Sequence, residues 1–202
     1  MEKLDAFRQL GLSEKALEAI QAKGFEQPSP IQKLTIPVLL NESGDIIAQA
    51  QTGTGKTAAF GLPIIEMLEG QPSGIKALIL VPTRELALQV CDEVISLAAK
   101  RVVVTAVYGG QSISEQQRRI KKGVDVVVGT PGRILDLISR GDLDFSKLMM
   151  FVLDEADEML NMGFIEDIEE IMRHTPKEKR TLLFSATMPD RIAKLAKQIG
   201  RA

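Results

Sequence analysis

The stretch Ala50-Gln51-Thr52-Gly53-Thr54-Gly55-Lys56-Thr57 constrains the fold more than any other part of the chain. An apolar run, Ile46-Ile47-Ala48, precedes it and reads as a buried strand, and Ala58-Ala59-Phe60 opens a helical pattern after it. A glycine-rich turn between strand and helix leaves several backbone N–H groups unpaired and pointing the same way. The helix dipole adds partial positive charge there, so such a turn attracts phosphate. Lys56 would add a point charge near the outer phosphates, and the Thr57 hydroxyl suits Mg²⁺. Ala50 stands where such loops usually begin with glycine. An ordinary glycine-rich turn is the alternative, and the strand before and helix after speak against it.

Beyond Gly44, apolar runs of four to six residues alternate with amphipathic segments. Strands are expected from Asp45 to Ala50, Ala77 to Val81, Val102 to Val107, Val124 to Val128, Met149 to Leu153 and Thr181 to Ser185. Helices are expected from Lys56 to Leu68, Arg84 to Lys100, Ser114 to Lys121, Pro131 to Ser139, Ile165 to His174 and Pro189 to Gln198. Continuous apolar strands alternating with helices imply an α/β fold with a mostly parallel central sheet and helices on both faces. Ligands of such sheets bind at the carboxyl ends of the strands. Before this pattern, Ser13 can cap a helix that Gly24 stops, and Ser29 with Pro30 opens a second helix to about Leu40. Residues 1–43 are therefore expected to form a helical segment packed on the same domain, and residues 44–202 its core.

Composition sets outer limits. The 202 residues are 45% hydrophobic and 26% charged, enough apolar material for a full core and too much for disorder. No apolar run reaches a membrane span, and the start, Met1-Glu2-Lys3-Leu4-Asp5, lacks the layout of a signal peptide. The single cysteine, Cys91, excludes an internal disulfide and any multi-cysteine zinc site, and reads as buried and inert. A cytoplasmic protein with no membrane partner is expected. With 25 Lys plus Arg against 27 Asp plus Glu, the net charge is −2, so any nucleic-acid site must rest on a few placed groups.

The end of the fifth strand carries Asp154-Glu155-Ala156-Asp157. A carboxylate at the end of an apolar strand, in a chain with a phosphate loop, suits Mg²⁺, which Asp154 would hold partly through water. Glu155 beside it could orient and deprotonate an attacking water. An acidic helix N-terminus, favoured by the dipole, is the alternative for Asp157 and Glu158.

Asp154 to Asp157 spell D-E-A-D, and Ala50 to Thr57 spell A-x-T-G-x-G-K-T, so the chain resembles the DEAD-box ATP-dependent RNA helicases. Other stretches carry the resemblance over nearly the whole chain. Phe7, Gly24-Phe25, Pro28 and Ile31-Gln32 match the family's adenine-reading Q motif; Pro82-Thr83-Arg84-Glu85-Leu86-Ala87 match motif Ia. Gly109-Gly110 match its paired glycines, Thr130-Pro131-Gly132-Arg133 match motif Ib, and Ser185-Ala186-Thr187 match motif III. The resemblance implies a RecA-like P-loop domain that uses ATP and Mg²⁺ and acts on single-stranded or locally unwound RNA. In it, Lys56, Asp154 and Glu155 are catalytic, Thr57 and Asp154 hold the metal, and Ala50, Gln51, Thr52, Gly53, Thr54, Gly55, Lys56 and Thr57 bind the nucleotide.

The matched residues also have physical readings. Gln32 carries a donor and an acceptor and can pair with both N6 and N7 of adenine, which guanine would reverse. Phe25 offers a face for the ring, and the family implies a base contact from the Gln27 carbonyl. Without the family, Phe25 reads as a helix-end staple and Gln32 as a solvated helix residue. Thr83 and Thr130 are N-cap candidates, and Pro131 fits the first helical position. As RNA-binding groups, Pro82, Thr83 and Arg84, with Thr130, Pro131, Gly132 and Arg133, give two helix N-termini that would grip successive phosphates. Gly109 and Gly110 would allow close approach of the strand, or simply form a turn. Ser185 and Thr187 would bond Asp154 or Asp157 and couple nucleotide state to RNA handling.

The family has a second RecA-like domain with arginine fingers, and no arginine-rich motif of that kind occurs before Gly200-Arg201-Ala202. The chain is expected to be the amino-terminal half, binding nucleotide but hydrolysing it barely, with no oligomer predicted. A P-loop translocase on DNA and a non-catalytic binding module remain as competing functions. The methionines Met149, Met150, Met159, Met162 and Met172 read as core filler, and His174 as an exposed residue without a second metal ligand.

Overall fold

A computed structural model describes residues 4–199. The strands are β1 (Ile46–Gln49), β2 (Ala77–Leu80), β3 (Val104–Val107), β4 (Val126–Gly129), β5 (Met150–Leu153) and β6 (Arg180–Ser185). They form one sheet in the order β1-β6-β5-β2-β4-β3, and every pairing is parallel. The helices are α1 (Asp5–Arg8), α2 (Glu14–Ala22), α3 (Pro30–Asn41), α4 (Lys56–Leu68), α5 (Arg84–Ala98), α6 (Ile113–Lys121), α7 (Pro131–Ser139), α8 (Ala156–Asn161), α9 (Ile165–Arg173) and α10 (Asp190–Ile199).

Strand side chains alternate between faces, and that alternation divides the core in two. Ile79, Val128, Val152 and Phe184 enter the cluster built with α2, α3, α4 and α5, where the Phe60 and Phe184 rings lie 5.4 Å apart. Their neighbours Leu78, Leu80, Val127, Phe151 and Leu183 enter the cluster built with α7, α8, α9 and α10. Residues of β2, β4, β5 and β6 are buried throughout, which is why these strands read as unbroken apolar runs. Edge strand β1 alternates instead between partly buried and exposed residues.

Several expected boundaries shift. The parallel sheet has no antiparallel member among the described residues, and most strands are shorter than expected. β3 begins at Val104 rather than Val102, because pairing with β4 starts there and the Val103 N–H is taken by the Asp125 carboxylate. Two helices, α1 and α8, are too short to show a 3.6-residue period, and the sequence reading assigns neither. The methionines divide: Met150 and Met159 are core, whereas Met149 and Met162 are exposed.

The strand order groups the loops. The carboxyl ends of β1, β6 and β5 bring residues 50–57, 185–187 and 154–157 side by side. The ends of β2, β4 and β3 do the same for residues 82–84, 130–133 and 109–110.

Candidate functional site

The turn after β1 contains Gly53 and Gly55, with φ of 80° and 88°, in the left-handed region that favours glycine. Gly55 is the N-cap of α4, and a Cβ there would lie 2.5 Å from the Gln32 amide nitrogen. Lys56 begins α4 and is buried at 5% exposure. Its Nζ lies 3.2 Å from Asp154 Oδ1 and 4.0 Å from Glu155 Oε1. These are contacts of opposite charge without hydrogen-bond alignment. Lys56 Nζ and Asp154 Oδ1 have no hydrogen-bond partner among the described residues. Burial pushes the Asp154 carboxyl above its ordinary range; the Lys56 ammonium opposes this and the Glu155 carboxylate adds to it.

An unsatisfied buried cation facing an unsatisfied buried carboxylate fits an anionic ligand on one side and a cation on the other. Thr57 and Asp154 could hold a divalent ion. The described residues contain no group of three or more His, Cys, Asp or Glu suited to a metal. Such an ion would therefore need oxygen atoms from its ligand or from water.

Glu155 has φ 56° and ψ 51°, a left-handed conformation for a residue with a side chain. Such strain costs roughly 1–3 kcal/mol and collects at functional sites. The Glu155 carboxylate accepts a hydrogen bond from Thr52 Oγ1 at 2.9 Å, which ties it to the turn after β1. Asp157 serves differently. Its Oδ2 accepts from the Thr187 N–H at 2.9 Å and from the Thr187 hydroxyl at 2.8 Å, and its own N–H donates to Ser185 Oγ at 3.2 Å. Burial alone would raise the Asp157 carboxyl, but bonds from Thr187, Ser185 and the Ala186 backbone outweigh it and hold it below the usual range. The Ser185 and Thr187 partner is thus Asp157 rather than Asp154.

Gln32 is buried at 4% exposure, which rules out a solvated helix residue. Its Oε1 accepts from Ser29 N–H at 3.0 Å in a capping box, and its Nε2 donates to the Gly55 carbonyl at 3.1 Å. Both ends of the amide are engaged by the chain itself, linking α3 to the turn after β1. Phe25 is half-buried and Gln27 exposed.

Phe25, Lys56, Thr57, Asp154 and Glu155 share a cleft of about 230 Å³ with Leu86, Gln89, Val90 and Glu93 of α5. The sequence reading places none of these α5 residues at the site beyond the motif match at Leu86. Their spacing at 86, 89, 90 and 93 marks one helical face and is the signal that could have found them. Phe25 also borders a second cavity of about 380 Å³, beside Arg8, Glu14 and Gln21. A larger cavity of about 870 Å³ is lined by Leu135, Ile138, Phe145, Glu170 and His174 and holds none of the expected site residues. Two of its carboxylates are paired with arginines, Asp136 with Arg140 and Glu170 with Arg173, so size alone does not mark the site.

On the other half of the edge, Thr83 caps α5 by accepting from Leu86 N–H at 3.2 Å. Thr130 occupies the N-cap of α7, with Pro131 at the first position, but its side chain makes no capping bond. The expected cap at Thr130 is therefore positional only. The Arg84 guanidinium lies 5.1 Å from the Tyr108 ring centroid, a cation–π contact that braces it. Gly110 has φ 82° and lies beside Arg84, while Arg133 donates to the Gln111 carbonyl at 3.1 Å. Arg84, Gly109, Gly110 and Gly132 are exposed. Tyr108 and Gln111, which hold the two arginines, are absent from the sequence reading.

The sequence profile of the DEAD/DEAH box helicase family matches residues 29–195. The DEAD-box ATP-dependent RNA helicase CshA of Geobacillus kaustophilus is 55% identical over 196 residues, covering 96% of this chain and 42% of that protein. The probable ATP-dependent RNA helicase MJ0669 of Methanocaldococcus jannaschii is 53% identical over 193 residues, covering 95% of this chain and 52% of that protein. The crystal structure of a DEAD box protein from the hyperthermophile Methanococcus jannaschii superposes with a TM-score of 0.92 at 52% identity, covering 96% of this chain and 53% of that one. The chain spans about half the length of these relatives or less.

Proposed function

The chain belongs to the DEAD/DEAH box helicase family, and from that membership we propose that it is the ATP-binding and RNA-binding first domain of an ATP-dependent RNA helicase. One observation carries the reading: Lys56 Nζ and Asp154 Oδ1 are buried, opposed in charge and without hydrogen-bond partners among the described residues, on the wall of the cleft. A triphosphate supplies oxygens to Lys56 and to the backbone N–H groups of residues 50–57. Thr57 and Asp154 would hold Mg²⁺, which neutralises phosphate charge when bound.

The remaining residues take roles around that centre. Phe25 stacks on the base, the Gln27 carbonyl meets its edge, and Gln32 reads adenine with the lone pair and the N–H that its bonds to Ser29 and Gly55 leave unused. Glu155 orients a water and accepts its proton, while the Thr52 hydroxyl bond to its Oε1 holds the carboxylate in place. Asp157, Ser185 and Thr187 link the acidic strand end to β6 and pass nucleotide state to the RNA side. There, the N-termini of α5 and α7, with Arg84, Gly109, Gly110, Gly132 and Arg133, grip phosphates of a single RNA strand.

Hydrolysis and unwinding require a second RecA-like domain that supplies arginine fingers, worth roughly 10³–10⁵ in rate. No described helix is long and apolar enough to cross a membrane, and a cytoplasmic site of action fits the single buried cysteine. The test is binding of matched single-stranded RNA and DNA by the two-domain protein, with and without a non-hydrolysable ATP analogue. RNA should bind tightly only with nucleotide, through its 2′-hydroxyls. Equal binding of DNA would favour a DNA translocase. Robust RNA-stimulated turnover by the 202-residue chain alone would contradict the need for a second domain.

A further inference from the structure

One contact on the rim of the cleft has no part in phosphate or metal chemistry. Lys23 and Glu93 are far apart in sequence, yet Lys23 Nζ meets Glu93 Oε2 at 2.5 Å, and their side chains are only 25% and 26% exposed. Lys23 is the C-cap of α2. The next two residues complete a Schellman turn, in which Gly24 N–H bonds the Gln21 carbonyl and Phe25 N–H bonds the Ile20 carbonyl. Gly24 has φ 72°, so the turn depends on glycine. The ion pair therefore lies two residues before the aromatic ring of the cleft.

Glu93 belongs to α5 and lines the same cleft as Phe25. The Lys23–Glu93 bridge thus ties the turn that carries Phe25 to α5, which lines the same cleft. Backbone bonds within the turn fix its shape, and α2 packs on α5 through the core; the bridge adds a tie at the C-terminal end of α2, where the turn leaves that packing. Cavities lie on both sides of Phe25, so the ring has room to move if the bridge is lost.

We propose that Lys23 and Glu93 are positioning residues that hold Phe25 at stacking distance for a purine base. The proposal rests on the reading of the cleft as a nucleotide site. ADP and inorganic tripolyphosphate are titrated calorimetrically into the wild-type chain, Lys23→Met, Glu93→Gln and the exchanged pair Lys23→Glu/Glu93→Lys. Each single variant should lose roughly three- to ten-fold in ADP affinity, the scale of one aromatic stack, and keep its affinity for tripolyphosphate. The exchanged pair should regain ADP affinity. Unchanged ADP affinity in both single variants, or parallel loss of both ligands, would overturn the proposal. Failure of the wild-type chain to bind either ligand would overturn the nucleotide reading beneath it.

Discussion

Two pairs of a buried lysine with an aspartate lie at opposite ends of the strands. Before β2 and β4, Lys76 Nζ is 2.8 Å from Asp125 Oδ1 and also donates to the Gly74 carbonyl, while Asp125 Oδ2 accepts from Val103 N–H. After β1 and β5, Lys56 Nζ is 3.2 Å from Asp154 Oδ1, and neither atom is hydrogen-bonded within the described chain. The two lysines are similarly buried, at 3% and 5% exposure. The first pair is saturated and works as a clip between strands. The second is left open, and an ion pair buried without hydrogen bonds is a costly arrangement. It makes sense where a ligand completes it. The contrast fits structure at one end of the strands and the proposed binding at the other.

The largest effect should come from breaking the saturated pair. Lys76→Met leaves Asp125 without its cation, and urea unfolding should show a loss of about 3 kcal/mol, near the lower bound for broken buried pairs because Asp125 keeps some access to water. Lys56→Met should cost clearly less in the same assay, because Asp154, already pushed toward its neutral form, can take up a proton. Equal losses in the two variants would erase the distinction between the two ends.

Asp157 sharpens the contrast within the acidic strand end. Asp157→Asn should cost about 1–2 kcal/mol at neutral pH, because the Thr187 N–H and hydroxyl lose a charged acceptor. The folded carboxyl titrates below its ordinary value, so its stabilisation is fully present above about pH 4 and lost as pH falls through the lower folded value. The difference between wild type and Asp157→Asn in acid denaturation should therefore shrink below that point; a difference that grows on acidification would contradict the Thr187 network. The smallest effect concerns Cys91, whose thiol burial pushes up to about 12. It should resist thiol reagents at about pH 8 until urea unfolds the chain, and fast labelling of the folded protein would place it outside the core.

Strand and helix identity was legible because apolar runs and 3.6-residue periods differ sharply in this chain. Both ends of α4 and α7 agree with the sequence reading, since each opens on a clear starting signal after a strand. Strand ends were less legible, since Val102 and Val103 are as apolar as Val104 although the paired register with β4 starts only at Val104. The phosphate turn and the acidic strand end could be located from local sequence. Their state could not: that Gln32 reaches Gly55, that Thr52 holds Glu155, or that Asp157 rather than Asp154 receives Thr187 depends on elements brought together across the sheet. The α5 wall was hidden for a related reason, because Gln89 and Glu93 look like solvated helix residues until α2 and the turn after β1 pack opposite them.

The central claim is that the open Lys56–Asp154 pair is a nucleotide site and the closed Lys76–Asp125 pair is not. Calorimetric titration of ATP with Mg²⁺ into Lys56→Met and Lys76→Met, at a temperature where both stay folded, tests it directly. Lys56→Met should lose roughly 10- to 100-fold in affinity, the value of charge-assisted bonds to phosphate, and Lys76→Met should bind as the wild-type chain does. Undiminished binding by Lys56→Met, or an equal loss in Lys76→Met, would contradict the account.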